Sequence, residues 1–205
     1  MGRNGYLDKA YGVSGTEATR KLYDDWSESY DSEIGENGYA TPGRLAAALR
    51  KHASDMTMDI LDFGCGTGLC GAKLNSAGFE NIDGLDLSAE MLEKARQKKI
   101  YRKLLHIEPD APLPISPGTY NAITACGVIG VGAAPLCVFD TIMNVLNRGG
   151  KFAFSYNDHT LEDPAYLAKL SEYTDCGAAR LHLCEHGPHL PGINLNSTVY
   201  VIEKL

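Results

Sequence analysis

From Met58 onward, short apolar runs alternate with stretches of helical period. Met58 to Phe63, Ile82–Leu87, Leu104–Glu108, Tyr120–Gly127 and Lys151–Tyr156 predict five strands. Between them, Leu69–Ala77, the run AEMLEKARQKK after Ser88, Leu136–Leu146 and Pro164–Tyr173 predict helices. The early strands lack a polar face, as strands do in a parallel sheet covered on both sides by helices. Arg180–His186 and Thr198–Glu203 predict two final strands. Only a Gly- and Pro-containing loop, Gly187–Asn196, separates them, so they should pair antiparallel.

The N-terminal part reads differently. The first 15 residues show no clear period. Thr16–Tyr30 predicts a helix with Leu22, Tyr23, Trp26 and Tyr30 on one face, an aromatic stripe outside the alternating units. Thr41 as N-cap and Pro42 at the first position predict another helix, running to Lys51. The chain therefore divides into an N-terminal helical segment, 1–40, and a domain of alternating strands and helices, 41–205. One reading of the stripe is plain core packing.

At 205 residues the chain is long enough for a full core without disulfides or metal. A net charge of −7 argues against a passive nucleic-acid binder and against electrostatic binding to membranes. The N-terminus is polar and does not read as the apolar core of a signal peptide, so none is expected, and no apolar stretch approaches the ~20 residues needed to span a bilayer. The six cysteines form no C-x-x-C pair, so buried, reduced thiols in a cytoplasmic protein are expected.

The chemistry concentrates in Asp62-Phe-Gly64-Cys65-Gly66-Thr-Gly68. Glycines between a strand and a helix let the backbone turn tightly and approach a ligand. Asp86 ends the next strand, where a carboxylate can accept both hydroxyls of a ribose. The spacing is G-x-G-x-G rather than G-x-G-x-x-G, so the dinucleotide fingerprint is absent. Asp62 beside the glycines suits a ligand with an ammonium group and would repel a pyrophosphate.

LDFGCGTG followed by IDGLDLSAEMLEKA resembles motif I and the following strand of the class I S-adenosylmethionine-dependent methyltransferases. LYDDWSESYD resembles the N-terminal segment of their small-molecule members, and NVLNRGGKFAFS their fifth strand. Within the class the chain is similar to small bacterial relatives of the Williams–Beuren-region methyltransferase-like protein. The resemblance implies a seven-stranded Rossmann-like sheet, order 3-2-1-4-5-7-6, with strand seven antiparallel and helices on both faces. It implies S-adenosylmethionine as cofactor and S-adenosylhomocysteine as product. Gly64, Cys65, Gly66 and Gly68 would line the cofactor, with Asp62 near its amino group. Asp86 would hold the ribose, and Leu87 and Met91 would pack beside adenine. Glu108 or Asp110 would accept from the adenine amino group; Pro109 has no N–H to offer the ring. Tyr23, Trp26, Tyr30 and Cys126 would complete the site, with residues 1–40 as a helical lid over the catalytic domain, 41–205. Relatives often carry a histidine after strand four, and Cys126–Pro135 contains none.

Methyl transfer from a sulfonium is a direct displacement that rests mainly on positioning, with a base needed chiefly for hydroxyl acceptors. His159, with Asp158 to orient it, is the candidate base; the alternative is an ordinary loop residue. His182, Cys184 and His186 alternate on a strand and with His189 could ligate zinc; the alternatives are that one or two of these histidines face the substrate mouth, or that they are solvent-facing polar residues, which fits best. No metal is expected. The segment after strand four lacks the Asn/Asp-Pro-Pro-Tyr pattern of base-amino methyltransferases. A small-molecule acceptor is therefore expected, with no nucleic-acid or membrane partner. The competing functions are a methyltransferase-like module that holds cofactor but acts through a partner, and a nicotinamide oxidoreductase, which the glycine spacing disfavours.

Overall fold

The computed structural model describes residues 5–10, 12, 13, 15–109 and 111–205. Its strands are β1 (Ile60–Phe63), β2 (Ile82–Asp86), β3 (Lys103–His106), β4 (Tyr120–Ala125), β5 (Leu146–Asn157), β6 (Ala179–Leu190) and β7 (Leu195–Lys204). Its helices are α1 (Tyr6–Ala10), α2 (Thr16–Trp26), α3 (Tyr30–Glu36), α4 (Thr41–His52), α5 (Leu69–Ser76), α6 (Ala89–Gln97), α7 (Val138–Val145), α8 (Asp158–Leu161) and α9 (Pro164–Asp175). The strands form one sheet in the order β3-β2-β1-β4-β5-β7-β6, the order the resemblance implied. β7 runs antiparallel to both β5 and β6, and the other pairs are parallel.

The apolar runs become central strands because both their faces are covered. All four residues of β1 are buried. Ile60 packs with Leu45, Leu49 and Leu74 of α4 and α5, while its neighbour Leu61 packs with Phe139 and Leu170 of α7 and α9. Successive side chains thus serve opposite layers, as strand geometry requires.

Several boundaries differ from the expectation. The predicted helix over 16–30 breaks at Ser27, whose amide and hydroxyl both donate to the Asp24 carbonyl; a second helix, α3, follows. A further short helix, α1, forms within the stretch that showed no period. Thr41 is the first residue of α4 rather than its cap, which is Ala40, because its hydroxyl is used elsewhere. The expected loop 187–196 is mostly strand: Gly187 and Pro188 still pair with Ser197 and Asn196, and only the turn Pro191–Ile193 with its cap Asn194 separates β6 from β7. The cysteines are all free, but only Cys65 and Cys70 are buried; Cys137, Cys176 and Cys184 are exposed, against the expectation of buried thiols. Among the described residues no helix is long and apolar enough to cross a membrane.

The N-terminal helices form a third apolar cluster. Trp26, Ile34 and Leu7 meet Leu190 and Leu195 there, with Tyr23, Tyr30 and Tyr39 alongside. This cluster lies at the carboxyl ends of the strands.

Candidate active site

β1 ends in the turn 64–68, where Gly64, Gly66 and Gly68 have φ of +65°, +53° and +89°. A Cβ on Gly64 would lie 2.6 Å from Val128, whereas one on Gly66 would meet nothing within 4 Å. The turn is therefore closed at its first glycine and open at its second, leaving room against bare backbone.

Asp86 faces this turn. One carboxylate oxygen accepts from the Gly66 amide at 2.8 Å and the other from the Ser88 amide at 2.9 Å. Each oxygen keeps further acceptor capacity. Burial pushes the Asp86 carboxyl up from its ordinary value, and the amides of Ser88, Gly66 and Leu87 pull against that. The Ser88 hydroxyl accepts from the Met91 amide and starts α6.

Asp62 does something other than the expectation. It is 1 % exposed. One oxygen accepts from the Thr124 hydroxyl and the other from the Tyr101 hydroxyl, both at 2.7 Å. An ammonium could reach it only through the remaining lone pairs of a buried carboxylate, which in this structure ties β1 to β4 and to the chain before β3. Tyr101 reaches it through a slot of small residues: a Cβ on Gly71 would lie 2.2 Å from the Tyr101 hydroxyl, and one on Gly84 would lie 3.1 Å from its ring. Nothing in the sequence reading pointed to Tyr101. The one available signal was glycine inside a helix and inside a strand, positions that glycine weakens unless something must come close.

The other expected residues are distributed as follows. Cys65 is buried in the turn, and Met91 is buried on α6. The half-buried Leu87 accepts from His106 through its carbonyl at 3.0 Å. Glu108 is exposed, its carboxylate 3.9 Å from the His106 ring. Asp110 lies outside the described residues. Cys126 follows the last residue of β4, with its thiol 3.5 Å from the Tyr39 hydroxyl. Tyr23, Trp26 and Tyr30 line a cavity together with Gly127 and Ile129, the neighbours of the Val128 that lies against Gly64 of the turn. Trp26 is at the same time a packing residue, 1 % exposed, and its indole donates to Glu33 at 2.9 Å.

A polar latch joins the N-terminal helices to the turn. Asp31 accepts from the Thr67 hydroxyl at 2.5 Å and from Lys98 at 2.7 Å, and Lys98 also donates to the Thr67 carbonyl. Lys94 pairs with Glu28 at 2.8 Å.

The expected Asp158–His159 pair does not form. Consecutive positions of α8 point in different directions: Asp158 meets His186 at 2.9 Å, while His159 lies 3.5 Å from Glu162 and does not line the cavity. The histidines of β6 are likewise dispersed. His182 meets Glu203 at 2.7 Å, and the pairing with β7 shifts between Leu181 and Leu183. Among the described residues no group of three His, Cys, Asp or Glu could hold a metal ion.

His189 is the histidine at the cavity. It is 7 % exposed and stands edge-on to Tyr39. Its Nδ1 lies 2.8 Å from the Thr41 hydroxyl, which lies 2.9 Å from the Ser197 hydroxyl; Arg44 donates to Ser197 and to the Pro188 carbonyl. Burial and the Arg44 charge push His189 down to about 4, with Asp158 opposing weakly.

A methyltransferase-domain family matches residues 60–150. Human methyltransferase-like protein 27 is 33 % identical over 145 residues, covering 69 % of this chain and 58 % of that protein. A bovine 18S rRNA (guanine-N(7))-methyltransferase is 30 % identical over 103 residues, 45 % of this chain and 36 % of its own length. The chain thus spans about a third to just over half of these relatives. Among solved structures, the [4+2]-cyclase SpnF superposes with a TM-score of 0.69, covering 94 % of this chain and 97 % of its own at 14 % identity, a likeness of fold alone. The rRNA-directed relative overturns the expectation of a small-molecule acceptor with no nucleic-acid partner. That expectation rested on net charge, on one missing motif and on the likeness of LYDDWSESYD to small-molecule members. Net charge sums the whole surface and does not describe a local face.

Proposed function

The chain belongs to the class I S-adenosylmethionine-dependent methyltransferases, and on that premise we propose that it binds S-adenosylmethionine at the glycine turn and methylates an acceptor admitted through the adjoining cavity. The observation that carries this reading is Asp86, fixed by the Gly66 and Ser88 amides with acceptor capacity to spare, beside a glycine whose outer side is open. The residues present fit the cofactor: the turn offers bare backbone, and Asp86 offers a fixed carboxylate to the ribose diol. When bound, the cofactor supplies an electrophilic methyl group on sulfur.

The chain's own residues then orient and enclose. Gly64 lets Val128 press against the turn. Tyr23, Trp26 and Tyr30 roof the cavity and exclude water, and their ring faces suit a nearby cation. The Asp31 latch holds that roof to Thr67, so residues 1–40 act as a lid that can open only by breaking it. An open cavity beside the turn supports an enzyme over a module that merely holds cofactor.

Calorimetric titration with S-adenosylhomocysteine tests the site. Wild type should bind it and not NAD. Asp86→Ala should fold normally and bind roughly ten- to a hundredfold more weakly, the effect of losing hydrogen bonds to a charged acceptor, about 1.5–3 kcal/mol. A folded variant with unchanged affinity refutes the assignment.

A further inference from the structure

The geometry points to His189 as the donor that recognises the acceptor, presenting a neutral Nε2–H that selects an uncharged group bearing a carbonyl-type oxygen. The inference rests on the methyltransferase reading above and assigns the acceptor end of the same site.

The tautomer follows from counting hydrogens. Thr41 and Ser197 are both fully buried, so their hydroxyl hydrogens need acceptors. Ser197 Oγ has two partners, Arg44 and Thr41. Arginine only donates, so the Ser197 hydrogen goes to Thr41 Oγ1. The Thr41 hydrogen is then free for one acceptor, His189 Nδ1. A neutral imidazole that accepts at Nδ1 carries its proton on Nε2. That Nε2 has no protein partner among the described residues, although the ring is nearly buried and lines the cavity. The arrangement leaves a donor waiting and makes His189 unfit as a base, since its cavity-side nitrogen already holds a proton.

The rest of the lining sets the charge of the guest. Among the described residues the cavity has no Asp, Glu, Lys or Arg; its polar groups are hydroxyls, the Asn157 amide and His189. An ionised guest would lose its hydration without gaining a counter-charge. Arg44 is close but spent on the carbonyls of Pro188, Ser197 and Glu185. A neutral carbonyl or amide oxygen, flanked by apolar surface, is the chemistry that fits.

The test uses the full chain saturated with S-adenosylhomocysteine. Long-range 15N–1H NMR of labelled histidine should show His189 protonated at Nε2 and bare at Nδ1 at neutral pH. Acetophenone and ethylbenzene then serve as matched probes with and without a carbonyl oxygen, and benzoate as the charged one. Wild type should prefer acetophenone over ethylbenzene by about two- to tenfold, the worth of one neutral hydrogen bond. His189→Gln, which keeps an N–H near Nε2, should retain the preference, and His189→Phe should lose it while binding S-adenosylhomocysteine as wild type does. Four results overturn the inference: an Nδ1–H tautomer, no acetophenone preference in wild type, benzoate bound more tightly than acetophenone, or a loss of S-adenosylhomocysteine affinity in His189→Phe, which would assign the donor to the cofactor. Failure of wild type to bind S-adenosylhomocysteine at all refutes instead the reading on which the inference rests, and the tautomer measurement still stands apart.

Discussion

Acidification should destabilise this protein through His189, by an amount that can be worked out. In the unfolded chain the ring titrates near its ordinary value of 6.5; in the fold it is pushed down to about 4. The cause is first the burial of the ring among Tyr39, Thr41 and the β6–β7 corner, then the positive Arg44 on α4, with Asp158 on α8 pulling the other way. A depressed histidine value means the unfolded state takes up the proton first. Stability is therefore intact above about pH 6.5, falls as the pH drops through that value, and levels off near pH 4, where the folded ring also protonates. At about pH 5 the unfolded form has gained roughly 1.5 pK units of proton affinity, or about 2 kcal/mol, a sizeable share of a typical domain's stability.

Urea denaturation of wild type and His189→Gln between about pH 7.5 and about pH 5 reads this directly. Every other ionisable group is common to both proteins and largely cancels in the difference. These include Asp62 and Asp86, whose raised values give the opposite slope. The difference between the two proteins should change by about 2 kcal/mol over that range, with wild type losing more. A constant difference, or an NMR titration placing the folded His189 above about pH 6, would refute the buried neutral ring and the hydrogen-bond chain that orients it.

Two further outcomes follow from named contacts. Gly71→Ala places a methyl group 2.2 Å from the Tyr101 hydroxyl, so the tyrosine must leave its slot and Asp62 loses a donor; thermal or urea unfolding should show a loss of roughly 2 kcal/mol or more, and a loss under about 0.5 kcal/mol would mean the slot is loose. Asp31→Ala removes the partner of Thr67 and Lys98. Trp26, the only tryptophan, should then emit further to the red and the segment before Thr41 should become protease-sensitive, with S-adenosylhomocysteine reversing both; unchanged emission in the variant would make the N-terminal helices permanent core.

The sheet was legible because its information is local. Apolar runs on strands and glycines at their ends announce themselves within a few residues, and the strand order followed from the resemblance those residues carry. Gly66 and Asp86, which both stood out in the sequence, lie only 20 residues apart, and the fold joins them by a hydrogen bond. Thr41 and His189, by contrast, are separated by 148 residues. No periodicity connects them. Thr41 looked like a helix cap because threonine before proline usually is one, and tertiary contact claimed its hydroxyl. Asp62 looked like a ligand for the same reason of nearness: it adjoins the turn in sequence, but a strand alternates its side chains, and this one points into the interior where Tyr101 and Thr124 meet it.

This division has a consequence for how the acceptor can be found. The segment matched by the methyltransferase-domain family, 60–150, holds the glycine turn, Asp86 and the end of β4. The roof and far wall of the cavity lie largely outside it: Tyr23, Trp26, Tyr30 and Tyr39 come before it, and Asn157, Thr160 and His189 after. Likeness within the matched segment therefore speaks more for the cofactor than for the acceptor, since it reaches only the Gly127–Ala133 side of the cavity. Proteins sharing that segment can carry quite different cavities on the same turn, which is how one scaffold comes to serve unrelated chemistries. The uncharged lining, and the donor that the Arg44–Ser197–Thr41 chain aims from His189, are the features of this chain from which a search for its acceptor has to start.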